Sequence, residues 1–278
     1  MSIFICLHGI KFALKQQALL NLRETPQKPL LRHAPSTASR SVVDTLRAGN
    51  IRSMSAAPSK FDGLCRASAE EILRGARPLA LVLCGLGGLT AAPERVFDTG
   101  PGELLVQRVA GAIAGRRGGE LQRCLEYLAR APPLLLVLGD VRDDCAQTAL
   151  NQARGLQGLH RCADAQLVLD QLAPAAIRAL ELHAPEARDG RDDQRAREEE
   201  LVCEVAWQAV LSAVERLLSD SEALRGLVRK CQLALEDAVV QQGGEVAFLG
   251  PHERQAELLA LEPVAERARQ LRYNVLST

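Results

Sequence analysis

Apolar residues in this chain fall into two kinds of run. The stretches LALVL (79–83), LLVQRVAG (104–111) and LLLVLG (134–139) are continuous and bounded by Gly and Pro. Strands apolar on both faces belong to a parallel sheet covered by helices on each side. Elsewhere apolar residues return at helical spacing, in GELQRCLEYLARA and CAQTALNQARGL, so the class is α/β. SVVDTLRAGNI predicts a helical arm ahead of the sheet, with Val42, Val43 and Leu46 on one side and a stop near Gly49-Asn50. ELVCEVAWQAVLSAVERLL predicts a long helix with Leu201, Val205 and Val214 inward, and Ser219 or Ser221 caps the next helix, SEALRGLVRKC. LALEDAVV and EVAFLG flank Gln241-Gln242-Gly243-Gly244, a hairpin signal for a terminal strand pair. No internal repeat is visible. One domain with tails is expected.

Composition narrows the partners. The chain has 278 residues, 47% hydrophobic, enough for one substantial core. Thirty-four basic residues balance thirty-four acidic ones, so no global field recruits nucleic acid or an anionic membrane. No apolar run approaches the roughly 20 residues needed to span a bilayer, and no transmembrane segment is expected. The charged run EARDGRDDQRAREEE (186–200) reads as a solvated loop and helix start.

Eight cysteines sit singly without a C-x-x-C pair, which reads as a reducing compartment with free thiols. Cys124 and Cys203 fall in helical segments and are expected as small core residues. Residues 1–43 carry Lys11, Lys15, Arg23, Lys28, Arg32 and Arg40 against one acid, Glu24, with RHAPSTASRS toward their end. Residues 1–40 therefore read as an organellar transit peptide, mitochondrial or plastid, or as a disordered leader.

Four stretches together resemble the β-class carbonic anhydrases over residues 41–250. TLRAGNIR (45–52) is similar to that family's N-terminal helix, and ARPLALVL (76–83) to the strand leading to its first zinc cysteine. APERVFDTGPGELLVQRVAGA (92–112) resembles its central motif; ERLLSDSEALRGLV with GGEVAFLG resembles its C-terminal helix and last strand. The resemblance implies a mostly parallel central sheet flanked by helices, with an N-terminal helical arm that packs across to a partner subunit. Residues 251–278 then form a C-terminal helical extension. It also implies a family reaction, the reversible hydration of carbon dioxide to bicarbonate, on a zinc ion held by two cysteines and a histidine. Zinc lowers the pKa of its bound water to about 7, which supplies hydroxide at neutral pH.

The motifs that carry that chemistry are altered. Where the family has Cys-Ser-Asp-Ser-Arg, this chain has CGLGGLTAA (84–92). Counting back from Pro93-Glu94 puts Leu86 at the cysteine, Gly88 at the aspartate and Thr90 at the arginine, whereas counting forward from the strand puts Gly85 at the cysteine. Cys84 is the only ligand-type side chain there, displaced by at least one residue. Where the family has Gly-His-x-x-Cys, Asp140 follows Gly139 and Asp143 falls at the second cysteine, with Cys145 two positions on. None of the five histidines stands in these positions.

Asp140, Asp143, Asp144 and Cys145 are accordingly either the remains of a zinc site, a rebuilt site with Cys84, or acids at the N-terminus of the helix that begins near 145. Three functions stay open. One is a catalytically impaired family member with a structural or regulatory role, as a homodimer or a hetero-oligomer with a related carbonic anhydrase subunit. The second is an active carbonate dehydratase using a rearranged metal site at Cys84, Asp140, Asp143 or Cys145. The third is anion binding at the glycine-rich turn CGLGGL.

Overall fold

The computed structural model describes residues 37–55, 78–85, 92–100, 102–156, 163–183 and 191–261. Helix α1 (Thr37–Ser53) precedes strand β1 (Ala80–Cys84), the single turn α2 (Pro93–Val96) and strand β2 (Leu104–Arg108). A 3-10 turn (Ala110–Ala112) and helix α3 (Glu120–Leu128) lead to β3 (Leu134–Asp140). Then come α4 (Asp144–Ala153), α5 (Ala163–Leu182), α6 (Arg191–Asp220) and α7 (Glu222–Arg229), followed by β4 (Ala234–Val240), β5 (Val246–Gly250) and α8 (Gln255–Leu259).

The strands form one sheet in the order β2-β1-β3-β4-β5. β1 pairs in parallel with β2 and β3, β3 pairs in parallel with β4, and β5 closes the edge antiparallel to β4. The expected mostly parallel sheet and its terminal hairpin are both present. Alternation along the strands sends side chains to two helical layers. Val82, Cys84, Leu136, Leu138, Ala238 and Val240 pack beneath α1 with Val42, Val43, Leu46 and Phe97. On the other side α4, α5 and α6 share a cluster built on Leu150, Leu169, Leu172, Leu201 and Val205.

Several local expectations meet corrections. The arm starts at Thr37, four residues before the expected helix, so residues 37–40 belong to α1 and the rest of the leader lies outside the described residues. Helix α5 carries Pro174 and was not legible as a helix, because its apolar residues crowd most of its circumference. The charged run turns helical from Arg191 onward, extending α6 to 30 residues. Of the two candidate caps, Ser221 holds α7 by accepting from the Leu224 N–H. Cys124 is exposed rather than core, and Cys203 is half-buried. Of the C-terminal extension, α8 is described and residues 262–278 lie outside the described set.

Helix α1 is tied into the sheet and the terminal hairpin of its own chain. Ser39 Oγ donates to the Pro133 carbonyl at 3.2 Å, and Arg52 Nε meets Asp98 Oδ2 at 2.8 Å. Asn50 Nδ2 donates to Val96 O and Gly244 O, each at 3.1 Å, while its Oδ1 accepts from Val246 N at 3.0 Å. One side chain thereby joins α1, α2 and the β4–β5 hairpin.

Candidate functional site

β1 and β3 lie side by side, with Cys84 opposite Leu138, so their C-terminal ends open on one edge of the sheet. Cys84 closes β1 with its side chain turned under α1, among Val82, Leu136 and Leu138. Burial pushes its thiol up to about 11, partly offset by Arg108 and reinforced by Glu94. It is a neutral apolar filler at physiological pH.

The next residue faces the other way, as strand alternation requires. A Cβ placed on Gly85 would stand 2.5 Å from Asp143 Oδ2 and 3.7 Å from the Ala112 amide nitrogen. Position 85, not 84, is therefore the one whose side chain would meet residue 143. That contact space is taken by the Asp143 carboxylate.

Asp143 is the N-cap of α4: its Oδ1 accepts from the Cys145 N–H at 2.9 Å. This is the ordinary reason for an acid where a helix begins. Asp144 follows in the first turn. Burial pushes the Asp143 carboxyl up, while its bonds from Cys145 pull it down. The Cys145 thiol is itself pushed up to about 12, by burial first and then by the charge of Asp143 and the hydrogen bond to it. Asp143 and Cys145 thus satisfy each other.

Asp140 has a different partner. Its Oδ1 accepts from both the backbone N–H and the Nε of Arg142, and its Oδ2 accepts from Arg142 Nη2, each at 2.9 Å. Three donors from one residue occupy both oxygens. This bidentate, charge-assisted pair is a strong arrangement for a partly exposed site.

The four candidate ligands are thus distributed rather than convergent. Asp143 and Cys145 form one pair, Asp140 is held by Arg142, and Cys84 lies under the opposite layer. Among the described residues no group of three or more His, Cys, Asp or Glu side chains is arranged to hold a metal ion. Residues 86–91, LGGLTA, lie outside the described residues and include none of those four types, so they add no such ligand. Gly88 and Thr90 fall in that stretch, as does most of the CGLGGL turn. Among the described residues, the donor set as arranged does not fit zinc.

One residue of the site escaped the sequence reading: Arg142, which stands two positions after Asp140 and binds both of its oxygens. Gly85 was one of two positions offered for the cysteine, and choosing between those registers needs the direction of a Cα–Cβ bond.

By sequence, no protein-family model and no curated protein matches the chain. By structure it is similar to a β-carbonic anhydrase of Coccomyxa solved with acetazolamide: TM-score 0.52, 18% identity, 68% of this chain and 82% of that one covered. A β-carbonic anhydrase of Aspergillus fumigatus matches at TM-score 0.49 and 16% identity, covering 78% of this chain and 93% of that one. One of two tetrameric β-carbonic anhydrases of Sordaria macrospora matches at TM-score 0.48 and 16% identity, over 65% and 85%. The fold is that of the β-carbonic anhydrases.

Proposed function

We propose that this chain is a β-carbonic-anhydrase family protein that has lost, or nearly lost, carbon dioxide hydration and serves as a structural or regulatory subunit. The observation that carries this reading is the filling of the space between positions 85 and 143 by the Asp143 carboxylate. The family reaction needs a metal to make hydroxide at neutral pH. In its place stand a helix cap, a neutral thiol and an arginine–aspartate pair. Asp143 is engaged as a helix cap and Asp140 by Arg142, so neither carboxylate is placed to activate water.

The intact sheet and arm suit a role in assembly, as a homodimer or as a hetero-oligomer with a related, active carbonic anhydrase subunit. The basic leader, residues 1–40, suits delivery to a mitochondrion or plastid.

The deciding experiment is metal content per chain by elemental mass spectrometry, paired with stopped-flow carbon dioxide hydration on the full-length protein. The expected result is far less than one zinc per chain and hydration at the buffer rate. One zinc per chain with rapid hydration would overturn the reading and establish a rearranged site at Cys84, Asp140, Asp143 or Cys145.

A further inference from the structure

β4 runs ALEDAVV and is buried along its whole length, yet it carries two consecutive acids. Alternation sends them to opposite faces. Glu236 lies on the α1 side, where Arg47 eases its burial. Asp237 turns to the α6 side, shares that face with Val239 and is fully buried, and among the described residues no other residue hydrogen-bonds to its carboxyl oxygens. A buried carboxylate so poorly compensated is costly, so the group stays a neutral acid: burial pushes its pKa up to about 8, against a smaller pull down from its own backbone N–H.

Among the described residues its neighbours bring no compensating cation. On β3 the paired residue is Val137, and Asp140 at that strand's end is held by Arg142. On β5 the paired residue is Gly250, and the strand has no titratable side chain. Helix α6 lays Ala206 and Val210 over this face, near Val239. The acids on its inner turns are engaged elsewhere, Glu204 with Gln208 and His183, and Glu215 with Arg254 and His252. The charge that bears on Asp237 is Glu236, which opposes ionisation further.

On β5 the neighbour of Asp237 is Gly250, where an added Cβ would meet nothing within 4 Å. The β4–β5 register shifts between Asp237 and Ala238, and the residue opposite is Gly250, without a side chain and at φ +82°. A register break at a sheet edge is where pairing ends most easily. We propose that the neutral acid of Asp237 keeps this edge shut, and that loss of its proton is coupled to local opening of β5 from β4 at the Gly250 end.

The sign follows from linkage. In the closed form Asp237 binds its proton more tightly than in the open form, so opening becomes easier as pH rises from the ordinary carboxylate range toward 8, and levels off above it. Amide hydrogen exchange of the full-length protein at pH 6, 7 and 8, corrected for intrinsic chemistry, tests this. Protection of 246–250 is expected to fall roughly tenfold per pH unit while remaining below that of 134–138, and Asp237→Asn is expected to abolish the pH dependence. A pH-independent protection, an unchanged dependence in Asp237→Asn, or equal protection of the two strands would overturn the proposal. Should the variant fail to fold, carboxyl carbon-13 shifts of the unmodified protein decide: Asp237 still protonated at pH 6 is expected, and ionised at that pH would overturn the proposal.

Discussion

Asp143 and Gly85 share one space: Asp143 Oδ2 lies 2.5 Å from the point that a Cβ on Gly85 would take, while the other carboxyl oxygen caps α4. The glycine and the acid are mutually dependent. Gly85→Ala is expected to destabilise the fold by about 1–3 kcal/mol through overpacking and a displaced cap. In an Asp143→Ser background, where a shorter side chain still caps the helix, the cost of Gly85→Ala should fall by half or more. Urea denaturation of the four proteins in the cycle measures this; additive costs would show that the two positions do not compete.

The same relationship limits what restoration achieves. Asp140→His with Asp143→Cys rebuilds two ligand types but leaves position 85 bare, and Cys84 points into the layer beneath α1. The double variant is expected to take up less than one zinc per chain and to hydrate carbon dioxide no faster than buffer. Adding Gly85→Cys should raise zinc uptake toward one per chain. Rapid hydration by the double variant would mean that segment 84–92 is misread.

Acid should weaken the docking of the C-terminal segment. His252 is buried, its Nδ1 accepts from the Arg254 N–H at 3.2 Å, and burial holds its pKa below the ordinary 6.5, with Glu215 and Glu253 pulling the other way. Below about pH 6.5 the unfolded chain takes a proton that the folded chain resists, so stability falls as pH falls, until the folded pKa is passed. Asp237, with its raised pKa, works in the opposite direction over this range, so the reading is a difference: between pH 7.5 and 5 the melting temperature of His252→Gln should fall less, or rise more, than that of the unmodified protein. An identical pH profile in both would assign the effect to other groups.

Asn50 is expected to be the most sensitive polar residue of the arm. It donates to Val96 O and Gly244 O and accepts from Val246 N. Asn50→Ala removes three hydrogen bonds worth about 1 kcal/mol each and strands buried backbone groups, for a loss of about 2–4 kcal/mol. Asn50→Asp, which keeps the acceptor and removes both donors, should also destabilise. A loss below about 0.5 kcal/mol for Asn50→Ala would show that α1 is held by its apolar face alone.

By itself the sequence determined the architecture. Runs apolar on both faces at 79–83 and 134–139 leave little choice but buried parallel strands, and Gln241–Gly244 between two apolar runs sets an antiparallel hairpin. It also placed Asp143 and Asp144 at the start of a helix, because composition alone makes acids good caps. Helix α5 escaped because periodicity vanishes when several sides of a helix are apolar and a proline interrupts the pattern.

Only the tertiary structure decided which way each chemical group points. A one-residue difference between Cys84 and Gly85 is invisible in composition, yet at a strand end it chooses between two layers of the protein. The pairing of Asp140 with Arg142 and the isolation of Asp237 are likewise matters of neighbours. Hydrophobic pattern is a local property that survives in one dimension, whereas a ligand set, an ion pair or an orphaned acid exists only where separate strands and helices converge.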